Sequence, residues 1–199
     1  QRQMCIRDRG RFFKRDMRFL ALRGELSRRN VERMTGKTLD IPTGDAGILA
    51  DRLLDGLPEK RYELGIIPHI CDLKDEAAAQ LAEKYENALL INVKDEPLEV
   101  VSQIAQCRYV LSSSLHGLIV ADSFNVPNMH IVFGERLKGD GYKFDDYYSA
   151  YNVPHIQRDL RREAAPSLDE IGSRYAISRE MTEEKKAQLL ACFPRSLLD

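Results

Sequence analysis

Arg108-Tyr109-Val110-Leu111-Ser112-Ser113-Ser114-Leu115-His116-Gly117-Leu118-Ile119-Val120-Ala121-Asp122-Ser123-Phe124 is the stretch that decides the fold. Its first part is an apolar run of strand type, and its last part is an apolar run long enough for a helix. Between them stand three hydroxyls, an imidazole and a glycine. A strand that hands over to a helix through so short a polar turn is a unit of a parallel sheet. The backbone N–H groups at such a helix start point outward, and the helix dipole favours an anion there. A histidine at that place can move protons beside a bound phosphate or carboxylate. His116 is therefore the candidate catalytic group, with Ser113, Ser114, Leu115 and Gly117 around it as candidate binding residues.

The same alternation continues on both sides. Upstream, strands are expected at Met17–Arg23, Thr38–Pro42, Tyr62–His69 and Ala88–Val93, and helices at Glu25–Met34, Asp75–Tyr85 and Leu98–Gln106 with Pro97 at its start. Ile48–Leu54 reads as a short helix or an irregular segment. Downstream, Val126–Phe133 closes the series as a strand. The strands are near-continuous apolar runs, which predicts an α/β fold with a parallel sheet covered by helices on both faces. Beyond Phe133 the pattern changes. Gly134–Gly141 is a polar loop, Phe144–Tyr151 a short aromatic and acidic helix, and Asp159–Pro166 a charged linker. Ser167-Leu168-Asp169-Glu170 caps another helix, and a last helix starts at Thr182.

Composition narrows the function. The chain of 199 residues is 43% hydrophobic, enough for a real core, and its net charge of −1 gives no support to nucleic-acid binding. No apolar run approaches the roughly 18–20 residues of a membrane span. The four cysteines are scattered and show no spacing for zinc or a redox dithiol, so no metal is expected and a reduced, cytoplasmic compartment fits best. Residues 1–10 carry no apolar period and no turn logic. They read as a non-native or disordered leader, and they inflate the excess of ten Lys/Arg over three Asp/Glu up to Arg29.

In an open parallel sheet, ligands bind beyond the carboxyl ends of the strands. Four segments lie at such ends: 23–27, 44–46, 68–69 and 113–117. They bring Arg23, Asp45, His69, Ser113, Ser114 and His116 toward one edge, a set suited to a phosphorylated carboxylic acid and its protons. Each also has a plainer reading. His116 can face solvent, His69 can be a turn residue, Arg23 a surface charge, Asp45 a helix cap, and the serines an N-cap. His130 inside a strand and His155 after Pro154 read as structural. Tyr142–Tyr148 reads as packing, with Tyr and Lys at its rim able to touch a sugar.

Several of these segments, in this order, resemble the polysaccharide pyruvyl transferases. Leu22-Arg23-Gly24-Glu25-Leu26-Ser27 is similar to the family's arginine motif, and Pro42-Thr43-Gly44-Asp45-Ala46 to its short loop. Leu64-Gly65-Ile66-Ile67-Pro68-His69 is similar to the strand that opens the second lobe. Ser112–Asp122 is the most specific match, followed by Asn125-Val126-Pro127. Gly141–Tyr148 is similar to a segment of the bacterial exopolysaccharide branch. The resemblance implies a Rossmann-like lobe of a glycosyltransferase-B-like two-lobed fold. The N-terminal lobe would be largely missing: 11–58 its remnant, 59–160 the C-terminal lobe, 161–199 helices packing back. It implies transfer from phosphoenolpyruvate, as donor substrate and with no cofactor, to a saccharide or lipid-linked oligosaccharide, ending as a pyruvate ketal. Arg23 and His69 would bind the donor and His116 would be the general acid or base. The resemblance also implies a cytoplasmic place, at the inner face of the membrane for a lipid-linked acceptor. Where some members carry an arginine, this chain has Ser114. Arg136, Lys138 or Lys143 could supply the missing charge. Two other readings remain open: a nucleotide-sugar-dependent glycosyltransferase of the B-type fold, with Glu135 reading the nucleoside, and a non-catalytic binding lobe or fragment.

Overall fold

The computed structural model describes residues 17–73, 76–134 and 141–194. The leader at 1–10 and the residues Glu135, Arg136 and Lys138 lie outside the described residues. Five strands, β1 (Tyr62–Ile67), β2 (Ala88–Leu90), β3 (Cys107–Ser112), β4 (Asn128–Val132) and β5 (Gln157–Asp159), form one sheet in the order β2-β1-β3-β4-β5. Every pairing is parallel. The expected α/β architecture is therefore present, with helices on both faces.

Alternation within the strands sets the two faces. Leu64, Ile66, Leu111, Met129 and Ile131 point to one side and pack under α2 (Glu76–Ala82) and α6 (Leu168–Arg174), against Ala78, Leu81 and Ile171. Ile67 and Val110 point to the other side, where α3 (Pro97–Ala105) and α4 (Leu115–Ser123) cover them through Val101, Ile104 and Ala121. α4 is buried almost all round because a further layer lies on it. That layer comprises a 3-10 segment (Ala46–Leu53), α5 (Tyr142–Ser149) and α7 (Arg179–Cys192), which contribute Ile48, Phe144, Tyr147 and Leu189.

α1 (Glu25–Thr35) begins at Gly24 without a side-chain cap of its own. The caps come from α5 instead. Asp146 accepts the Ser27 N–H at 2.8 Å and the Ser27 hydroxyl at 2.6 Å, and Ser149 Oγ accepts the Glu25 N–H at 2.9 Å. The backbones approach so closely that a Cβ on Gly24 would sit 1.6 Å from the Asp146 carbonyl oxygen, so only glycine fits.

Three expectations are corrected. Met17–Arg23 and Thr38–Pro42 are not strands; a single parallel bridge joins Leu22 to Thr43. Pro42 has no N–H, so the ladder has no means of continuing through it. The linker expected from Asp159 begins instead with the end of strand β5. Its three residues are charged or polar and sit at the sheet edge, where charge blocks further pairing and hides the apolar signal. The last helix starts before Thr182: Ser178 caps α7 by accepting the Met181 N–H, and Thr182 is buried.

Candidate active site

The strand order places the topological switch between β1 and β3, since the chain passes from β1 outward to β2 and then returns to β3 on the other side. The carboxyl ends of these two strands are Ile67-Pro68-His69 and Ser112-Ser113-Ser114. Buried serines rivet them together. Ser112 Oγ lies 2.9 Å from the carbonyl oxygens of Ile67 and Ser114 and accepts the Ser114 N–H at 3.0 Å. Ser113 Oγ accepts the His69 N–H at 2.8 Å and donates to Asp72 Oδ2 at 2.8 Å. The Ser113 hydroxyl is thus engaged by the scaffold.

Ser114 is the N-cap residue of α4, but its side chain makes no cap bond. The capping bond expected of the serine triplet is absent because Ser112 and Ser113 turn into the sheet. Leu115 is buried. Gly117 is required by space, since a Cβ there would lie 2.5 Å from Ser112 Oγ. His116 stands between them on the first turn and is exposed. The free end of α4 therefore presents N–H groups, one half-buried hydroxyl and one imidazole.

His69 is half-buried, and its Nδ1 accepts the Cys71 N–H at 3.3 Å. Burial, followed by the charge of Lys143, holds it below the ordinary histidine range, while Asp72 pulls the other way. Lys143 is on α5, and its Nζ lies 5.0 Å from the centre of the Phe144 ring. Arg23 donates through Nε to Asp45 at 3.0 Å. Asp45 also caps the 3-10 segment, accepting the Gly47 N–H at 3.0 Å, and that segment packs on Ile119 of α4. Arg23, Asp45, Lys143 and His116 are all carried by elements on the α4 side of the sheet.

One constellation escaped the sequence. His130 Nδ1 lies 2.8 Å from His155 Nε2, and His155 Nδ1 lies 2.8 Å from Asp145 Oδ1. The rings stack in a column with Phe144, which is 3.8 Å from His130 centre to centre, and Tyr148, which is 5.3 Å from His155. The packing of α5 and of the connection before β5 against β4 brings these residues together, and no spacing in the sequence announces it. The column ends at a cavity of about 400 Å³ between α1 and the α5–β5 connection, whose lining includes Glu25, Arg29, Asp145 and His155.

With this geometry in view, the comparisons decide the family. The family model described as polysaccharide pyruvyl transferase matches residues 12–133, more than half of the chain. The chain belongs to the polysaccharide pyruvyl transferase family. An uncharacterized protein of Acanthamoeba polyphaga mimivirus is 36% identical over 121 residues, which are 59% of this chain and 42% of that protein. The chain thus spans less than half the length of this relative. No solved structure matches it. The matched span takes in Arg23, Asp45, His69 and the whole of β3–α4, but stops before α5 and its stacked rings. No helix among the described residues is long and apolar enough to cross a membrane.

Proposed function

We propose that the protein transfers the carboxyvinyl unit of phosphoenolpyruvate to a sugar and closes it into a pyruvate ketal. The observation that carries this reading is the uncapped start of α4 at the β1–β3 switch, with His116 exposed on its first turn. An anionic donor is favoured there by the N–H groups and the helix dipole. His69 borders the same edge, and Lys143, whose charge acts on His69, would offer the cation that Ser114 lacks. Arg23 is tied to Asp45 through Nε, so its Nη groups would hold the donor carboxylate or phosphate.

The reaction has a fixed proton balance. Two sugar hydroxyls bond to the central carbon of the donor and lose two protons. One proton ends on the methylene carbon, which becomes the methyl group, and the other leaves with the phosphate. His116 serves the first transfer as general acid. The N–H groups and Lys143 stabilise the departing phosphate. The acceptor is a saccharide, and a lipid-linked oligosaccharide acceptor would place the reaction at the inner face of a membrane.

Incubation of the protein with phosphoenolpyruvate and polysaccharide acceptors is the test, with phosphate release and the ketal methyl resonance as readouts. His116→Ala is expected to lower turnover by roughly 10²–10⁴ with the circular dichroism spectrum unchanged. A rise in melting temperature with phosphoenolpyruvate supports the donor assignment. The same rise with a nucleotide sugar, and none with phosphoenolpyruvate, replaces it with glycosyl transfer.

A further inference from the structure

Most polar atoms of His69 are tied to their surroundings. Its N–H is donated to Ser113 Oγ at 2.8 Å, its carbonyl oxygen accepts the Asp72 N–H at 2.7 Å, and its Nδ1 accepts the Cys71 N–H at 3.3 Å. A backbone N–H only donates, so Nδ1 bears a lone pair and the ring proton sits on Nε2. Nε2 is the polar atom left over. It has no hydrogen-bond partner among the described residues and, unlike Nε2 of His130, it is not sealed from solvent. Ser113 directly precedes Ser114, the N-cap residue of α4. His69 is therefore fastened beside the helix end that presents free N–H groups.

Asp72 closes this arrangement. It is 2% exposed, and its Oδ2 accepts the Ser113 hydroxyl at 2.8 Å. With its proton committed to Asp72, the Ser113 oxygen turns a lone pair to the His69 N–H. A backbone carbonyl or an amide could accept that hydroxyl at a smaller cost of burial. What a carboxylate adds is charge, and the charge of Asp72 acts on the His69 ring in opposition to burial and Lys143. One buried side chain thus governs both where His69 stands and the field it feels.

We propose that Asp72 is a positioning residue of the anion site: through Ser113 it fixes His69 so that the Nε2–H is offered, as a neutral donor, to the phosphate or carboxylate held at the start of α4. The inference rests on the donor assignment made above. Being buried, Asp72 does not reach the substrate; it acts through Ser113 and His69. Ser113, expected from the sequence to bind substrate, works from behind His69 instead. An N–H held in place beforehand needs no reorganisation when the anion arrives or when charge builds on the departing phosphate. Lys143 from α5 and Asp72 from the loop after β1 are the charges that act on the ring, and the exposed Cys71 thiol is beside it in the chain.

The test reads the ring directly. The chain has four histidines, so long-range proton–nitrogen correlation on ¹⁵N-histidine protein resolves each one. His69 is expected in the Nε2–H form at neutral pH, and its Nε2 signal is expected to move on addition of phosphoenolpyruvate or inorganic phosphate. Asp72→Asn keeps an oxygen for the Ser113 hydroxyl and removes the charge. It is expected to retain the tautomer while lowering the His69 midpoint, because Asp72 raises it in the wild type. Asp72→Ala and Ser113→Ala break the bridge. They are expected to mix the tautomers and to raise Kd and KM for phosphoenolpyruvate by roughly tenfold with little change in kcat, and Asn at position 72 is expected to recover most of that loss. An Nδ1–H form of His69 in the wild type overturns the proposal. So does an Asp72→Asn protein whose His69 midpoint stays where it was, a result that stands even if the alanine variants do not fold. Unchanged Kd and KM in folded Asp72→Ala also overturn it. A wild type that transfers nothing, yet whose His69 Nε2 responds to inorganic phosphate and ceases to in Ser113→Ala, removes the proposed reaction and supports the positioning of His69 for an anion.

Discussion

Asp122 on α4 and His130 on β4 are both buried on the α4 side of the sheet, and both are reached by hydrogen bonds from α5 or the segment after it. They end differently. Asp122 accepts the Tyr147 hydroxyl at 2.7 Å, the Asn128 amide at 2.7 Å and the Tyr175 hydroxyl at 2.9 Å, so both its oxygens are used. The loose end of that cluster is Asn128 Oδ1, an amide oxygen that does not titrate. The His130 chain starts at a half-exposed carboxylate and stops at a nitrogen with no partner. A carboxylate enclosed by donors holds elements together, here α4, α5 and the end of α6. A row of imidazoles that ends on a buried nitrogen without a partner leaves that polar atom uncompensated. Neighbouring polar groups of similar burial are thus separated by how their hydrogen bonds are completed.

The largest effect expected from this contrast is on stability, and it falls on the closed cluster. Asp122→Ala removes the acceptor of the Tyr175 and Tyr147 hydroxyls and of one Asn128 N–H in the core, leaving Tyr147 a 3.4 Å bond to the Tyr151 hydroxyl and Asn128 its 3.0 Å bond to the Val126 carbonyl. The lost carboxylate was itself costly to bury, which offsets part of the damage. The net loss is expected at roughly 2–4 kcal/mol, read from urea unfolding. Asp145→Asn at the His130 chain is expected to cost less than about 1 kcal/mol, because the hydrogen bond to His155 Nδ1 is made by a half-exposed side chain. Equal losses in the two variants would erase the distinction.

A smaller and signed effect comes from pH. Burial, opposed by its three donors, raises Asp122 to about 6. Between the ordinary carboxylate value and 6, the folded protein holds a proton that the unfolded chain lacks. Asp122 therefore adds stability as pH falls through 6, and that increment is gone above it. His130 acts in reverse. Its folded pKa is depressed, so its contribution is present above about 6.5 and is lost as pH falls toward 3. The two slopes oppose each other, each up to about 1.4 kcal/mol per pH unit. In Asp122→Asn the opposing carboxylate slope is gone while the slopes of the depressed His130 and His69 stay, so stability should drop more steeply from about pH 7 to about pH 5 than in the wild type. A parallel drop in both proteins would remove the claim that Asp122 titrates in this window.

The closed cluster and the open chain were equally hidden in the sequence, and for one reason. Asp122 and Tyr175 are 53 positions apart, and His130 and His155 are 25 apart. Such pairs meet only through tertiary packing, which leaves no local period. What was legible obeyed local rules. Apolar runs gave β1, β3 and β4, Pro97 marked the start of α3, and the polar turn at Ser112–Gly117 marked the strand-to-helix handover at the switch. Asp45 could be read as a cap from its place before Ala46. β5 was lost because an edge strand of Gln157, Arg158 and Asp159 is selected for charge. The serines were read as caps, yet Ser112 and Ser113 face the sheet, a choice made by the Ile67 carbonyl and Asp72 beside them.

The smallest expected effect discriminates best between the two ends of α5. Lys143 lowers both His69 and His130, but in each case burial is the larger cause. Lys143→Met should therefore raise the midpoint of His69, with Asp72 then the main charge acting on it, while His130 stays neutral through the same titration. Stability should change by no more than about 0.5 kcal/mol, as for most surface substitutions. The measurement is the histidine titration by nuclear magnetic resonance. If His130 now takes a proton at ordinary pH, its neutrality was set by the lysine charge and not by burial, and it would resemble the exposed histidines at the edge. If His69 does not move, Lys143 does not act at the switch edge, and the charge missing at Ser114 must come from elsewhere. A rise at His69 alone would separate a solvent-facing edge, tuned by nearby charges, from a buried column whose protonation is governed by the low-polarity core around it.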